Sequence, residues 1–248
     1  MKTCKLLREQ VAAATGSKKA ELVLKNAQIV NVFTQSVETG DIAIEGGYIV
    51  GIGNYEGITE KDLGGAYVCP GFLDGHIHIE SSMTSPGEFE RAVVPHGTTA
   101  VITDPHEIAN VAGTAGIRFM MQSAQKLDLD VYFMLPSCVP ATDLDESGAE
   151  LLAKDLEPFY ADEKVLGLAE MMNAFGVTHG DKGCFEKLVQ ARSLKKAIDG
   201  HAPALSGKEL NAYVTAGIRS DHECSDFEEA KEKHLDEWVS LVGKEIGE

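Results

Sequence analysis

The hydrophobic rhythm of the chain changes once, near residue 68. Residues 3–15 predict a short helix with Leu6, Leu7 and Val11 on one side. Leu22–Val30, Asp41–Glu45 and Tyr48–Ile52 then alternate or run apolar, as strands do, and Gly46-Gly47 between the last two predicts a tight hairpin. Residues 1–67 therefore read as a small β-sandwich part. Beyond it the pattern becomes strand–helix–strand–helix. The expected strands are 71–79, 98–104, 130–136, 165–171, 196–200 and 217–222. Ser-x-x-Glu capping boxes stand between them at Ser85/Glu88, Ser147/Glu150, Ser206/Glu209 and Ser225/Glu228. Phe89, Ala92 and Val93 predict one apolar helix face, and Leu151, Leu152, Leu156 and Phe159 another. Alternation of this kind implies an α/β fold with a parallel sheet and right-handed crossovers. Six such units over residues 68–248 suggest a (β/α) TIM-like barrel, incomplete at about six of eight strands. A doubly wound open sheet has the same periodicity.

Composition narrows the picture. Net charge is −17, from 39 acidic and 22 basic residues, which argues against a nucleic-acid or anionic-membrane partner. No apolar run spans a bilayer, and the N-terminus lacks a signal-peptide core. The 5 cysteines show no CxxC spacing, so a reduced, cytoplasmic setting is expected.

The chemistry gathers at the predicted strand ends, where a (β/α) barrel carries its active site. His76 and His78 are two apart on a strand and point to the same side, towards one metal ion. Gly71 and Gly75 allow close backbone approach, and Asp74 is placed to orient a ligand. Later ends carry Asp104, His106 and Glu107, then Pro136-Ser-Cys138, then Glu170 and Asn173. The last two carry His201 and Asp221-His-Glu223. Nitrogen and carboxylate donors together suit Zn, Mn or Fe(II). Four histidines and a carboxylate exceed the needs of one tetrahedral ion, so two ions bridged by Glu170 fit, with hydrolysis as the implied chemistry.

Each part alone has a plainer reading. HxH is a short motif, His106 fits a supporting role, and His96 sits at a helix end where a cation favours the dipole. His179 and His234 read as solvent-exposed. Cys138 and Cys224 have no evident base partner, which disfavours a thiol nucleophile.

Pro-Gly-Phe-Leu-Asp-Gly-His-Ile-His resembles the first-strand signature of the amidohydrolase superfamily. Gly-His-Ile-His-Ile-Glu-Ser-Ser-Met, Asp-Pro-His-Glu-Ile-Ala-Asn-Val, Gly-Leu-Ala-Glu-Met-Met-Asn, Asp-Gly-His-Ala-Pro-Ala-Leu-Ser-Gly and Ser-Asp-His-Glu-Cys narrow this. They resemble the bacterial and archaeal adenine deaminases of that superfamily. The resemblance implies hydrolysis of adenine to hypoxanthine and ammonia, with a hydroxide generated at two metal ions adding to purine C6. The usual metal would be manganese, or iron. His76 and His78 would hold one ion, His201 and His222 the other, and Glu170 would bridge. Glu170 and His201 are the expected catalytic residues. Ser82, Asp104, His106, Glu107 and Asn173 are candidates for contacting the purine or supporting the ligands. A homo-oligomer is expected.

The resemblance fades past about residue 230. Members of that family are more than twice as long, and their eighth strand supplies a metal-binding, proton-shuttling aspartate. The expectation is therefore a C-terminally truncated relative, carrying five of six ligands and weakly active or inactive alone. Leu235, Trp238, Val242 and Ile246 predict a final helical face, and Asp226 and Asp236 on it are poor stand-ins for the missing ligand. Two alternatives stay open: another amidohydrolase reaction on a cyclic amide, and a non-catalytic metal-binding remnant.

Overall fold

A computed structural model describes residues 4–142, 144–235 and 239–240. The chain folds as two compact units, Met1–Pro70 and Gly71–Glu248.

In the first unit, helix α1 (Cys4–Ala14) precedes strands β1 (Ala20–Asn31), β2 (Ser36–Glu45), β3 (Tyr48–Gly53), β4 (Gly57–Asp62) and β5 (Tyr67–Val68). The sheet order is β3-β2-β1-β4, with β5 pairing the far half of β1. Gly46 and Gly47 both have positive φ, the geometry that a two-residue hairpin requires. β1 is irregular between Leu24 and Ala27, where its pairing with β2 shifts register. Apolar clusters form around Val23 and Ala43 and around Ile29 and Ile42. The expected apolar side of α1 is not the buried one. Leu7 and Val11 are exposed, while Gln10 and Ala13 are buried, with Gln10 Nε2 donating to Glu45 O at 3.3 Å.

At the β1 irregularity, Asp41 is buried and receives Lys25 Nζ, Asn26 N at 3.1 Å and Tyr55 N at 3.4 Å. Burial alone would raise its pKa, but the Lys25 and backbone hydrogen bonds prevail and hold it below 3.8. A carboxyl depressed on folding contributes stability above its unfolded pKa, and that stability is lost as pH falls through the folded value. Asp41→Asn should therefore lower the melting temperature at pH 7 and shrink the difference between pH 7 and pH 3, read by circular dichroism.

The second unit holds strands β6 (Phe72–Ile77), β7 (Thr98–Thr103), β8 (Asp130–Leu135), β9 (Val165–Met171) and β10 (Ala197–Gly200). They form one parallel sheet, in sequence order, that curls as a half-barrel. Helices α2 (Pro86–Val93), α3 (His106–Ser123), α4 (Ala153–Leu156), α5 (Ala174–His179), α6 (Lys182–Ser193), α7 (Gly207–Thr215) and α8 (Phe227–Leu235) connect or follow the strands. The apolar core runs between strand residues such as Val101, Phe133, Leu135 and Leu168 and helix residues such as Ile117, Met120, Leu188 and Leu210. A cavity of about 550 Å³ is lined in part by Ile102, Met134, Leu166 and Ile198. Gly71 sits where a Cβ would lie 2.2 Å from the Thr99 hydroxyl oxygen, so the first strand passes β7 only with glycine there.

Several expectations are corrected. The sixth strand shrinks to β11 (Ser220–Asp221), outside the five-stranded sheet, and pairs with β12 (Val239–Ser240). One backbone bond, Arg219 N to Ile198 O at 3.1 Å, ties this stretch to β10. Ser147/Glu150 caps no helix, because Ser147 Oγ is drawn to Asn110 and Ala149 O. Ser85 and Ser206 occupy N-cap positions without a side-chain cap bond. Caps are made instead by Asn173, Asp181 and Asp226, whose Oδ1 atoms reach Gly176 N, Cys184 N and Glu229 N. Ala92 and Leu152 are exposed rather than in the core. Trp238, Val242, Ile246 and Asp236 lie outside the described residues. Among those described, no helix is long and apolar enough to cross a membrane.

Candidate metal centre

The strand ends converge on one buried carboxylate. Glu170 lies near the end of β9, the next-to-outer strand of the sheet, and is 2% exposed. Its Oε1 faces His78 Nε2 at 3.0 Å, His106 Nδ1 at 3.4 Å and His76 Nε2 at 3.7 Å. Its Oε2 faces His201 Nδ1 at 2.8 Å and His222 Nε2 at 3.2 Å. The two oxygens thus address two groups of imidazoles. His76 lies in β6 and His78 directly follows it. His106 opens α3, His201 follows β10, and His222 follows β11.

Neighbouring groups orient the rings. Asp104 O lies 2.9 Å from His78 Nδ1, which leaves Nε2 turned to the centre. Asp104 Oδ2 lies 2.8 Å from His106 Nδ1. Asp199 Oδ2 lies 3.3 Å from His76 Nδ1, and His76 stacks on His222 with centroids 3.7 Å apart. Asp199 was not among the expected site residues. Its signal was available, since it precedes His201 by two positions and strand periodicity puts both on one side.

Electrostatics binds the cluster together. Burial opposes ionisation of Glu170, yet the close imidazoles of His201, His222 and His78 pull its pKa far below the ordinary carboxylate range. Burial also opposes protonation of His78, but Glu170 and the Asp104 carbonyl lift it to about 9. His106 and His222 rise for the same kind of reason, through Asp104 and Glu170 respectively. Asp104 moves up, because complete burial outweighs its bond to His106.

The donor set fits a divalent transition ion. Glu170 Oε1, Asp104 Oδ1, His201 Nδ1 and His222 Nδ1 are buried without a well-formed hydrogen bond, the first and third despite close neighbours. His76 Nε2 and His78 Nε2 are 3.1 Å apart. Two imidazole nitrogens on one tetrahedral zinc-like ion stand about 3.3 Å apart. Ligand atoms cluster in three overlapping groups: His78, Asp104, His106 and Glu170; Glu170, His201 and His222; and His76, Asp199 and His222.

Other expected residues are engaged locally. Ser82 Oγ donates to Ile79 O at 2.6 Å in an exposed turn, and Glu107 Oε1 accepts from Ser81 Oγ at 2.5 Å. Asn173 Oδ1 caps α5 through Gly176 N at 2.7 Å. Asp74 Oδ1 accepts from His76 N at 3.2 Å, steadying the strand beneath the ligand. His96 is exposed, and His179 stacks on Phe175 at 3.9 Å. Nothing is assigned to the His234 side chain, which lies outside the described atoms. Cys138 Sγ is buried 3.7 Å from Met171 Sδ, an apolar setting for a thiol.

Two residues behind the cluster, Lys187 and Tyr213, had no sequence signal. Ser137 Oγ donates to Glu170 O, and Lys187 Nζ, buried in α6, donates to Ser137 O at 2.7 Å. Tyr213 in α7 is fully buried. Its hydroxyl donates to Met171 O and accepts from His201 N at 3.1 Å, joining the end of β9 to the end of β10.

Residues 67–246 match the amidohydrolase family, and the chain belongs to that family. It is 54% identical over 229 residues to adenine deaminase 2 of Carboxydothermus hydrogenoformans, and 55% identical over 227 residues to the adenine deaminase of Clostridium acetobutylicum. Each alignment covers 92% of this chain and 40% of the relative, so the chain spans about two-fifths of the length of these curated relatives. Among solved structures, it is similar to an N-acyl-D-glutamate deacylase from Bordetella bronchiseptica complexed with zinc and a phosphonate inhibitor. That likeness has a TM-score of 0.63 and 14% identity, covering 88% of this chain and 55% of the other. A dihydroorotase gives a TM-score of 0.53 and 18% identity, covering 88% and 70%. At these identities the likeness concerns the fold.

Tyr213→Phe should leave Met171 O and His201 N without their buried partner. The expected cost is about 1–3 kcal/mol, read from urea denaturation.

Proposed function

We propose that this chain carries out hydrolytic deamination of adenine to hypoxanthine and ammonia at a two-ion centre. The observation that carries the reading is the division of labour at Glu170, one oxygen towards His76 and His78 and the other towards His201 and His222. The two curated relatives, both adenine deaminases, supply the substrate class. His76 and His78 would hold one ion, His201 and His222 the other, and Glu170 would join them. Manganese is the proposed metal; iron and zinc suit the same nitrogen and oxygen donors. When bound, such a pair acts as a Lewis acid and brings the pKa of a water to about 7.

The chain's own residues do the rest. Glu170, buried and held ionised, supplies the fixed negative charge against which two cations can sit close together. Asp104 Oδ2 holds the His106 ring at Nδ1, so Nε2 is the atom through which His106 would pass a proton to the departing amino group. Water delivers its oxygen to C6, the C6–N bond breaks, and ammonia leaves with the protons. His201, anchored through its backbone to Tyr213, keeps its ring nitrogen directed at Glu170. Ser82, Glu107 and Asn173 are proposed to act near the purine only as part of the loops they stabilise. The protein is proposed to work in the cytoplasm as a homo-oligomer.

The purified 248-residue chain, loaded with Mn(II), should release ammonia from adenine weakly, as five of the six expected ligands allow, and a chelator should abolish the release. Glu170→Gln should remove at least one bound ion and lower kcat/KM at least about 100-fold, the scale of losing a charge-stabilising group. Bound metal without ammonia would overturn deamination and leave metal binding. Neither metal nor ammonia would overturn the whole reading.

A further inference from the structure

Behind the His201 and His222 pair lies a second polar cluster that is not part of the centre. Lys233 in α8 is fully buried. Its Nζ donates to Ala202 O at 2.7 Å, to Glu229 Oε1 at 2.6 Å and to Asp221 Oδ2. Asp221 is also fully buried, and its Oδ1 accepts from Ala202 N at 3.1 Å and Glu223 N at 3.2 Å. The pair therefore grips the peptide groups on both sides of Ala202 and the residues flanking His222. Glu229 and Glu232 extend the grip, accepting from Ala204 N and Gly207 N, each at 2.8 Å.

Asp221, Cys224 and Glu229 bring their ligand atoms close enough to hold a metal. The Lys233 ammonium is the cation already seated among those carboxylates. A buried ion pair is a weak source of stability, because desolvation offsets most of its attraction. Its directional bonds are a strong source of geometry, since each end of the pair accepts or donates to backbone next to a histidine.

We propose that Lys233 is a positioning residue for the His201–His222 half of the metal centre. By fixing Ala202 against Asp221 it sets where the two imidazoles meet Glu170 Oε2. The inference rests on the two-ion reading. Groups that orient ligands from behind are worth about 10–100-fold in metal affinity.

The test titrates the metal-free 248-residue chain with Co(II), following the visible absorption bands and the number of ions bound. The wild-type chain should bind two ions. Lys233→Met should keep one within about threefold and bind the other about 10–100-fold more weakly. The band it loses should be the band lost by His222→Ala. Lys233→Arg, which keeps the charge and donors, should recover part of the loss. Equal weakening of both ions, or wild-type affinity for both, overturns the proposal. Should Lys233→Met fail to fold, Glu229→Gln serves in its place. It leaves the Lys233–Asp221 pair intact, loosens the lysine, and should weaken the same single ion about tenfold; no change there overturns the proposal. A wild-type chain that binds fewer than two Co(II) ions overturns the two-ion reading and the inference with it. Two ions in the wild type, with both held at wild-type affinity in the variant, overturn the inference alone.

Discussion

One buried carboxylate among five imidazoles is the constraint on which the second unit depends. Glu170 cannot be buried alone, because an isolated charge in that environment is severely disfavoured. Its partners arrive from four other places along the chain, and each must be delivered to within a few ångströms. A parallel sheet in sequential order does this with little machinery. Every strand ends on the same side, so the residue just past each end faces a common point. The hydrophobic core beneath, from Val101 to Leu210, keeps those ends in register. The same alignment places the Ser137, Tyr213 and Lys233 contacts behind the ligands, where they bond to backbone rather than to the site itself.

Much of this was legible in residue order. His76 and His78 one residue apart, Glu170 at the end of an apolar run and histidines after Asp-Gly and Ser-Asp gave both the fold and the cluster. Periodicity works there because a strand buried on both faces and a polar strand end differ sharply in composition. The mistakes fell where a local pattern competed with a tertiary partner. Ser147 satisfies the form of a capping box but is used by Asn110, and Leu7 and Val11 continue a helical stripe that the sheet does not cover. The β11 segment was overestimated because an apolar Ile218 and a ligand-bearing end resemble a strand, while β11 lies outside the five-stranded sheet.

Residues that act from behind were the least legible. Nothing in the order of residues distinguishes Lys233 from the other lysines of an acidic amphipathic stretch. Tyr213 reads as one more apolar position on α7. Their roles depend on distances between loops that are far apart in the chain, and such distances are set by packing. Asp199 lies between these cases, since the strand period marks it once the end of β10 is known.

The order of the ligands along the chain has a further consequence, in time rather than in space. The imidazoles come from the start, middle and end of the second unit, and Glu170 sits between them. Closing such long loops is entropically unfavourable until the intervening strands and helices have packed. Loop-closure entropy therefore favours assembly of the cluster last, after the sheet that carries it. A metal held there would bind only the folded unit, so the free energy of binding would add to the free energy of folding. The centre thereby acts as a late lock on the fold.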